Sequence, residues 1–466
     1  MTPRKKLAAA IAIGVLTLAG CTSTELPQLA DSDVPEQWTL ASAADDSFWP
    51  DTQWWTGFNN DELTELVSLV QNSNLDLQVN RRNLEAAQIA LREAGFDLLP
   101  TPIIDLGTSP VYRDSRIDNE SFRDTSGEVI SLEASASYND ILSRPAIYDD
   151  ALASYDSSAA QAADIALNTL TTAASSYFQL LLTRDKVATT SQNVINAQAI
   201  YEIAQARVDA GVAIPIEALQ QQIALERERI NLQSFQQDDL AVRSSLALLT
   251  GQSVQNFDMQ GSSLDEVEVP VVQPGMPSQL LNRRPDLVVA EAGMRSARAN
   301  VDLVKSELFP QISLTAGTSA SSNSLTDLVK NPEQLLAINA NLVQLLLDNG
   351  QRDRNIQQAM LVLENSLSRY RIAVISAFNE IDVLLSNIQL LAAQTDVALR
   401  NLASAEESFR IAQIRYEEGV ADFLTILTSQ NTLFDTRNTY LDRKQAQLNA
   451  ALALFQALGG GWQMEE

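Results

Sequence analysis

The residue types that carry out most enzyme chemistry are scarce in this chain. Its 466 residues include one cysteine, Cys21, and no histidine. Without histidine there is no imidazole for general base work near neutral pH, and a lone cysteine forms neither an internal disulfide nor a cysteine metal cluster. A catalytic set could use only carboxylates or lysine, and no spacing indicates one. The sequence therefore predicts a protein that is not an enzyme and holds no metal or cofactor.

The strongly acidic charge of the chain argues against nucleic acid as a partner. Acidic residues outnumber basic residues by 59 to 32, which gives a formal net charge of −27 at pH 7. Such a chain repels the phosphates of nucleic acids, although acidity says little about the fold. We therefore expect no nucleic acid partner.

The first 20 residues predict a signal peptide. Basic residues at 4–6 precede an apolar run at 7–18, which is too short to span a membrane in the ordinary way. The sequence Leu-Ala-Gly-Cys then ends at Cys21 and resembles the bacterial lipobox, in which the cysteine is acylated and begins the mature protein. Thr22 replaces the aspartate of the inner-membrane retention signal, so the resemblance implies the outer membrane. We predict that Cys21 is lipidated and anchored in outer-membrane lipid.

Most of the chain is a tandem duplication. Residues 201–213 match 409–421 without a gap, and upstream 76–100 align with 286–310. This period is far longer than that of a solenoid repeat, so each copy should be a large substructure with its own helices and strands. The predicted divisions are a signal peptide (1–20), a lipidated N-terminal segment (21–59), a first repeat (60–252), an inter-repeat linker (253–274), a second repeat (275–460) and a C-terminal tail (461–466).

Long stretches without glycine or proline predict unusually long helices. Residues 151–210 and 351–418 contain neither residue type, and a rise of 1.5 Å per residue gives the longer one a length of about 100 Å. A shorter stretch without glycine or proline follows each of these two stretches. Gly211 and Gly419 therefore lie at the turns of two predicted helical hairpins.

Between the helices, apolar and polar residues alternate. This pattern occurs at 130–138, 311–320 and 336–343, with a weaker strand around 104–106. It suits a half-buried soluble sheet or a membrane β-barrel, and the lipobox favours the barrel. Four strands cannot close a barrel, and an open sheet edge in lipid leaves backbone groups unpaired. If these strands span a membrane, the chain must oligomerise.

Three segments point to a family. Gly-Met-Pro-Ser-Gln-Leu-Leu-Asn-Arg-Arg-Pro-Asp-Leu at 275–287, Leu-Asp-Asn-Gly-Gln-Arg at 347–352 and Ala-Leu-Gly-Gly-Gly-Trp at 457–462 resemble those of outer membrane factors, the efflux proteins of the TolC and OprM type, and most closely the lipoprotein branch. The resemblance implies a mixed α and β membrane protein, in which a homotrimer forms a 12-stranded outer-membrane β-barrel with four strands per chain. A long periplasmic α-helical barrel continues it.

The resemblance also implies a function and its site. The protein would be the exit duct of a tripartite efflux system, passively conducting substrates from an inner-membrane pump and a periplasmic adaptor to the exterior. The hairpin turns would lie at the periplasmic tip. The implied adaptor contacts are Arg207, Gly211, Val212, Arg415, Gly419 and Val420, and the gate candidates are Tyr416, Asp422, Thr428 and Glu217.

The predicted gate depends on charged residues near the tip. Arg207 and Arg415 could hold the tip closed by pairing with nearby acids. These acids are Asp209, Glu217, Glu417, Glu418 and Asp422. Thr428 stands where the family commonly has an acidic residue, which leaves Asp422 and Glu217 as alternatives for an acidic constriction.

Two other functions fit parts of the same sequence. A channel for protein or metabolite secretion would share the architecture but work without a drug pump. A purely structural periplasmic coiled-coil lipoprotein would need no membrane strands. The aromatic stretch at 48–55 suits packing against the helices better than ligand binding.

Overall fold

The computed structural model describes residues 52–462, apart from 118–119, 262, 272–276 and 331–332, together with residues 25, 34, 35 and 38. The predicted signal peptide and Cys21 lie outside the described residues. The described chain forms two compact units. The sheet unit contains Glu85–Ser158 and Ala290–Tyr370, and the helical unit contains Ala30–Leu84, Ala159–Val289 and Arg371–Glu466.

The order of elements repeats along the chain. The first copy contains α1 (Asp61–Ser73), α2 (Leu75–Phe96), β1 (Thr101–Ile117), β2 (Glu120–Tyr138), α3 (Arg144–Asp209) and α4 (Pro215–Leu249). The second contains α5 (Pro285–Ser306), β3 (Gln311–Ser322), α6 (Leu325–Lys330), β4 (Glu333–Val343), α7 (Gln351–Glu417) and α8 (Phe423–Ala457). Short 3₁₀ helices lie at Trp54–Phe58, Leu264–Glu266 and Pro277–Asn282.

The predicted long helices are confirmed. Helices α3 and α7 have 66 and 67 residues. Helices α4 and α8 have 35 residues each and begin 208 positions apart, at Pro215 and Phe423. Helix α3 begins seven residues before the predicted stretch because Pro145 lies in its first turn, where a missing N–H removes no helical hydrogen bond.

The four strands form one antiparallel sheet in the order β1-β2-β3-β4. The predicted weak strand at 104–106 was far too short, since β1 has 17 residues. Alternation of apolar and polar side chains did not reveal the remaining residues of β1. Backbone pairing with β2 defines this strand, from Thr101 opposite Ser137 to Ile117 opposite Glu120.

One face of the sheet is mostly apolar and the other mostly polar. The pairing places Leu106 opposite Leu132, Leu132 opposite Ala320 and Ala316 opposite Ile338. Serine, threonine, asparagine and acidic residues occupy most of the other face, because successive side chains of a strand point to opposite sides. The apolar face is uncovered in the single chain, since Ile104 and Ile338 are each 78% exposed.

Aromatic residues form the centre of the helical unit. The ring of Trp54 stacks on Phe455 with centroids 5.6 Å apart, and Phe58 packs against Phe178 at 5.2 Å. Trp54 and Trp55 are almost fully buried. The packing role predicted for the aromatic stretch is confirmed for these two residues.

The 35-residue helices α4 and α8 are each followed by a glycine that lies against the backbone of another segment in the same repeat copy. Gly251 follows α4 with a φ of +69°, and a Cβ there would lie 2.7 Å from the carbonyl oxygen of Ser73. Gly459 follows α8 with a φ of +85°, and its Cβ would lie 2.0 Å from the carbonyl oxygen of Arg283. Both contacts leave no room for a side chain, which explains these two glycines.

Candidate functional site

The two hairpin turns have the same backbone structure. The N–H of Val212 donates to the carbonyl of Arg207 at 3.0 Å, and the N–H of Val420 donates to that of Arg415 at 2.8 Å. Gly211 and Gly419 both have a φ of +74°. A left-handed glycine with these hydrogen bonds is the Schellman motif, which ends a helix and satisfies its last carbonyls. The predicted glycine turns are confirmed.

Apolar side chains project from both turns into solvent. Val212 is 67% exposed and Val420 is 64% exposed. Beside them, Ile214 and Leu424 are similarly exposed. Each turn therefore presents two exposed apolar side chains to solvent. Ile214 and Leu424 had not been singled out in the sequence, because single exposed aliphatic residues carry no pattern.

The two turns differ at the start of the following helix. Asp422 is the N-cap of α8, and its carboxylate accepts from the N–H of Thr425 at 2.8 Å and from the Thr425 hydroxyl. These hydrogen bonds lower the pKa of Asp422. The equivalent N-cap of α4 is Ile214, which offers no side-chain cap, and Pro215 follows it. The structure therefore gives Asp422 a capping role that the prediction of a gate residue did not include.

Tyr416 is buried where the two hairpins meet. The guanidinium carbon of Arg207 lies 5.1 Å from the centre of the Tyr416 ring, a cation–π geometry. Phe423 packs at 6.5 Å between centroids. Burial raises the pKa of the Tyr416 phenol, Glu217 adds to the rise and Arg207 opposes it. Thus three predicted site residues, from α3, α4 and α7, lie close together.

The predicted ion pairs at the tip are not formed within one chain. Among the described residues, neither Arg207 nor Arg415 has a carboxylate within 4.0 Å. Two of these acids instead bond to amides of their own helices. Asp209 accepts from the side chain of Gln205 at 2.9 Å. Glu417 likewise accepts from the side chain of Gln413 at 3.1 Å.

A groove of about 630 Å³ lies beside the second turn. It is lined by Arg415, Val420 and Asp422 from the predicted set. Hydroxyl residues supply much of the remaining lining, namely Ser404, Ser408, Thr425 and Ser429. No sequence pattern singled out these residues, although Ser404 and Ser408 are one helical turn apart. Thr428 is exposed on α8 and does not line the groove.

A family assignment follows from the sequence. The profile of a family described as outer membrane efflux protein matches residues 66–252 and 276–460, the two copies of the duplication. The chain belongs to this family. The resemblance noted in the sequence is thereby confirmed.

Outer membrane efflux proteins from several bacteria resemble the whole chain. The pyoverdine export outer membrane protein OpmQ of Pseudomonas aeruginosa is 31% identical over 456 residues, which cover 97% of this chain and 96% of OpmQ. The cation efflux system protein CusC of Escherichia coli is 27% identical over 477 residues, covering 99% of this chain and all of CusC. The outer membrane channel CmeC of Campylobacter jejuni has the same fold, with a TM-score of 0.84 at 20% identity over 96% of each chain.

The buried hydroxyl of Tyr416 provides a test of the packing where the two hairpins meet. It is buried without a hydrogen-bond partner in the described chain, which costs about 1–3 kcal/mol. We expect Tyr416→Phe to stabilise the helical unit by about 1 kcal/mol. Thermal unfolding followed by circular dichroism measures this change.

Tyr440→Phe is the matched control. The Tyr440 hydroxyl donates to Asp265 at 2.6 Å, so its removal should lower the unfolding temperature. A lower unfolding temperature for Tyr416→Phe would mean that another copy of the chain supplies a partner for its hydroxyl.

Proposed function

We propose that this protein is the outer-membrane exit duct of a tripartite efflux system. Three copies would form one channel that passively conducts substrates from an inner-membrane pump and a periplasmic adaptor to the exterior. The observation that carries the proposal is the open four-stranded sheet with its exposed apolar face. Membership of the outer membrane efflux protein family supports this interpretation of the sheet.

The sheet edges support assembly in the membrane. Strands β1 and β4 each pair on one side only within the described chain. In hydrocarbon an unpaired strand edge is too costly to persist, so a spanning sheet must close into a barrel. Three copies would give 12 strands, an even number within the range of outer-membrane barrels. The apolar face would then contact lipid and the polar face would line the channel.

The hairpin turns support adaptor docking. Val212 and Val420 present exposed apolar side chains on rigid turns. Gly211 and Gly419 hold these turns, and Arg207 and Arg415 lie at the helix ends before them. We assign adaptor contact to these six residues. Glu217 and Tyr416 lie where the hairpins meet and are the leading gate candidates, while Asp422 caps α8 and Thr428 lies on it.

The predicted lipid anchor at Cys21 agrees with the proposed location in the outer membrane. Acylation of Cys21 would tether the mature N-terminus to the inner leaflet of the outer membrane. The helical domain would then extend into the periplasm. The predicted segment 21–59 would connect the anchor to the first repeat.

A specific relative favours metabolite secretion as the second candidate function. OpmQ, whose name describes pyoverdine export, is 31% identical over nearly the whole chain. A secreted metabolite is therefore a reasonable alternative cargo to drugs. Both functions would use the same passive duct, and they differ in the pump that loads it.

Deletion of the gene tests the proposal. Cells without the protein should accumulate more of a fluorescent cationic dye, and wild-type protein should restore the original level. Gly419→Trp should fail to restore it, because the bulky ring strains the left-handed turn and obstructs the proposed adaptor surface. The amount of trimer in the outer membrane should be unchanged.

The secreted metabolites of the same strains separate the two candidates. Unchanged dye accumulation together with a loss of a secreted metabolite such as pyoverdine from the medium would favour metabolite export. If deletion changed neither quantity, the proposed export function would be wrong for both cargo classes.

A further inference from the structure

Hydrogen bonds between polar side chains join the antiparallel helices α3 and α8. They link Asn168 with Gln456 at 2.6 Å, Ser175 with Asn449 at 3.0 Å and Gln179 with Gln445 at 2.6 Å. Each step of seven or four residues forward on α3 goes with an equal step backward on α8. These three pairs, which we call the polar ladder, therefore keep one constant register between the two helices.

Two buried amides lie where the register of the polar ladder continues toward the hairpin turns. Fourteen residues beyond Gln179 on α3 is Asn193, and fourteen residues before Gln445 on α8 is Asn431, the neighbour of Gln430. Asn193 and Gln430 are both fully buried. The register thus places them within about 1.5 Å of one level along the helices.

These two amides lack the hydrogen bonds that the polar ladder has. In the part of the chain that the structure describes, neither the nitrogen nor the oxygen of Asn193 or Gln430 has a partner. Ile426 and Phe434, one helical turn to either side of Gln430, belong to an apolar cluster. A buried amide in such surroundings is costly unless it is hydrogen-bonded. Both side chains therefore need a partner inside the helical unit.

A water molecule fits this need. A buried water typically takes about two to four hydrogen bonds from polar groups around it. The two amides together offer two NH₂ groups and two carbonyl oxygens at one level of the helices. Because Asn193 and Gln430 are fully buried within one chain, a neighbouring copy could reach them only if a helix moved.

Unpaired amides are confined to the turn side of the hairpins. Among the described residues, the fully buried amides without a partner at either nitrogen or oxygen are Asn193, Gln221 and Gln430. Gln221 lies ten residues after Gly211, and Gln430 lies eleven residues after Gly419. The contact between α3 and α8 therefore changes from paired amides to unpaired amides toward the turns.

An amide layer that binds water lowers the cost of separating two helices. When an apolar layer separates, its surface becomes exposed to water, which is unfavourable. Amides that already bond to water keep their hydrogen bonds when more water enters. Helices α3 and α8 therefore separate most easily at the level of Asn193 and Gln430, while the polar ladder keeps the rest of the contact in register.

We propose that Asn193 and Gln430 bind a buried water between α3 and α8, and that this hydrated layer allows the turn-side part of α8 to move away from α3. This inference rests on the proposed function, because a duct that takes up substrate at its turn end needs helices that can separate there. The two amides are positioning residues, which act through the position of α8.

Replacement of both amides by apolar residues of similar size tests the hydrated layer. The full-length double variant Asn193→Leu with Gln430→Met keeps no side-chain group that binds water. Its midpoint of thermal unfolding should rise by about 2–4 °C, because packed apolar side chains replace unpaired amides. Export of the fluorescent dye, or of the secreted metabolite, should fall toward the level of the deletion strain at an unchanged amount of trimer.

Two control variants separate position from polarity. Gln179→Met with Gln445→Met makes the equivalent change at a hydrogen-bonded pair of the polar ladder, farther from the turns. Asn193→Gln with Gln430→Asn exchanges the two amides, so the layer keeps its polarity and its total volume. Both controls should export like the wild-type protein.

The outcomes decide each part of the proposal. Loss of export in the apolar variant alone, with a raised midpoint, supports it. A midpoint at or below that of the wild type, or loss of trimer, overturns the hydrated site, because the amides then have stabilising partners. Wild-type export by the apolar variant, or an equal loss in either control, overturns the role in helix movement. If deletion of the gene changes export of neither cargo, the proposed function fails, and the midpoint still decides whether the hydrated site exists.

Discussion

Replacement of Ile338 by arginine is expected to reduce trimer in the outer membrane at least tenfold. Ile338 lies at the middle of β4 on the apolar face and is 78% exposed. If this face contacts lipid, an arginine near the bilayer midplane costs about 2–4 kcal/mol in each chain. In the proposed trimer, three copies of the substitution would surround one barrel. Heat-modifiable migration of outer-membrane fractions, with the soluble fraction as comparison, measures the loss.

The adjacent residue provides the control for this experiment. Asn339 follows Ile338 on the same strand and points to the polar face. Asn339→Arg adds the same charge at the same depth but into the proposed water-filled channel, so the amount of trimer should be close to the wild-type amount. Equal loss in both variants would show that the apolar face does not contact lipid.

Gly459→Ala is expected to destabilise the helical unit by about 3–5 kcal/mol. An alanine at a positive φ costs about 1–2 kcal/mol. Its Cβ would also lie 2.0 Å from the carbonyl oxygen of Arg283, so the backbone must move in a closely packed region. Thermal unfolding of the purified protein by circular dichroism should show a markedly lower midpoint.

Gly211→Ala separates the two causes of this destabilisation. Gly211 has a φ of +74°, but nothing lies within 4 Å of its Cβ position. Alanine there should cost only the backbone strain of about 1–2 kcal/mol. If both variants unfolded at the same temperature, the contact between Gly459 and Arg283 would not contribute to stability.

The helical part of the fold was largely predictable. A long helix forms wherever a continuous run of residues tolerates the helical conformation. The absence of glycine and proline therefore predicted both ends of α7 and the C-terminal end of α3 to within one residue, but not the first seven residues of α3. Gly211 and Gly419 marked the turns because few residues accept a positive φ. The strands were less predictable, since pairing with β2 extends β1 well beyond its alternating residues.

The candidate site was predictable in its position but not in its contacts. The match between the segments containing Arg207 and Arg415 located both turns, and the structure gives them one backbone geometry. Among the described residues of one chain the expected ion pairs are absent, and Asp209 and Glu417 accept from amides on their own helices. Asp422 likewise caps α8, a role set by the helix start that its charge alone did not indicate.

The sequence by itself determined the duplication, the long helices, the hairpin turns and the family, because these depend on local conformational preferences and on residue order. Only the tertiary structure decided which side chains remain uncovered. Apolar rows on two helices look like ordinary core faces in the sequence, since a heptad pattern does not say which helix fills it. They are Ile216, Leu219, Ile223 and Ile230 on α4 and Val383, Leu390, Val397 and Ile411 on α7. Their exposure is a property of the folded single chain.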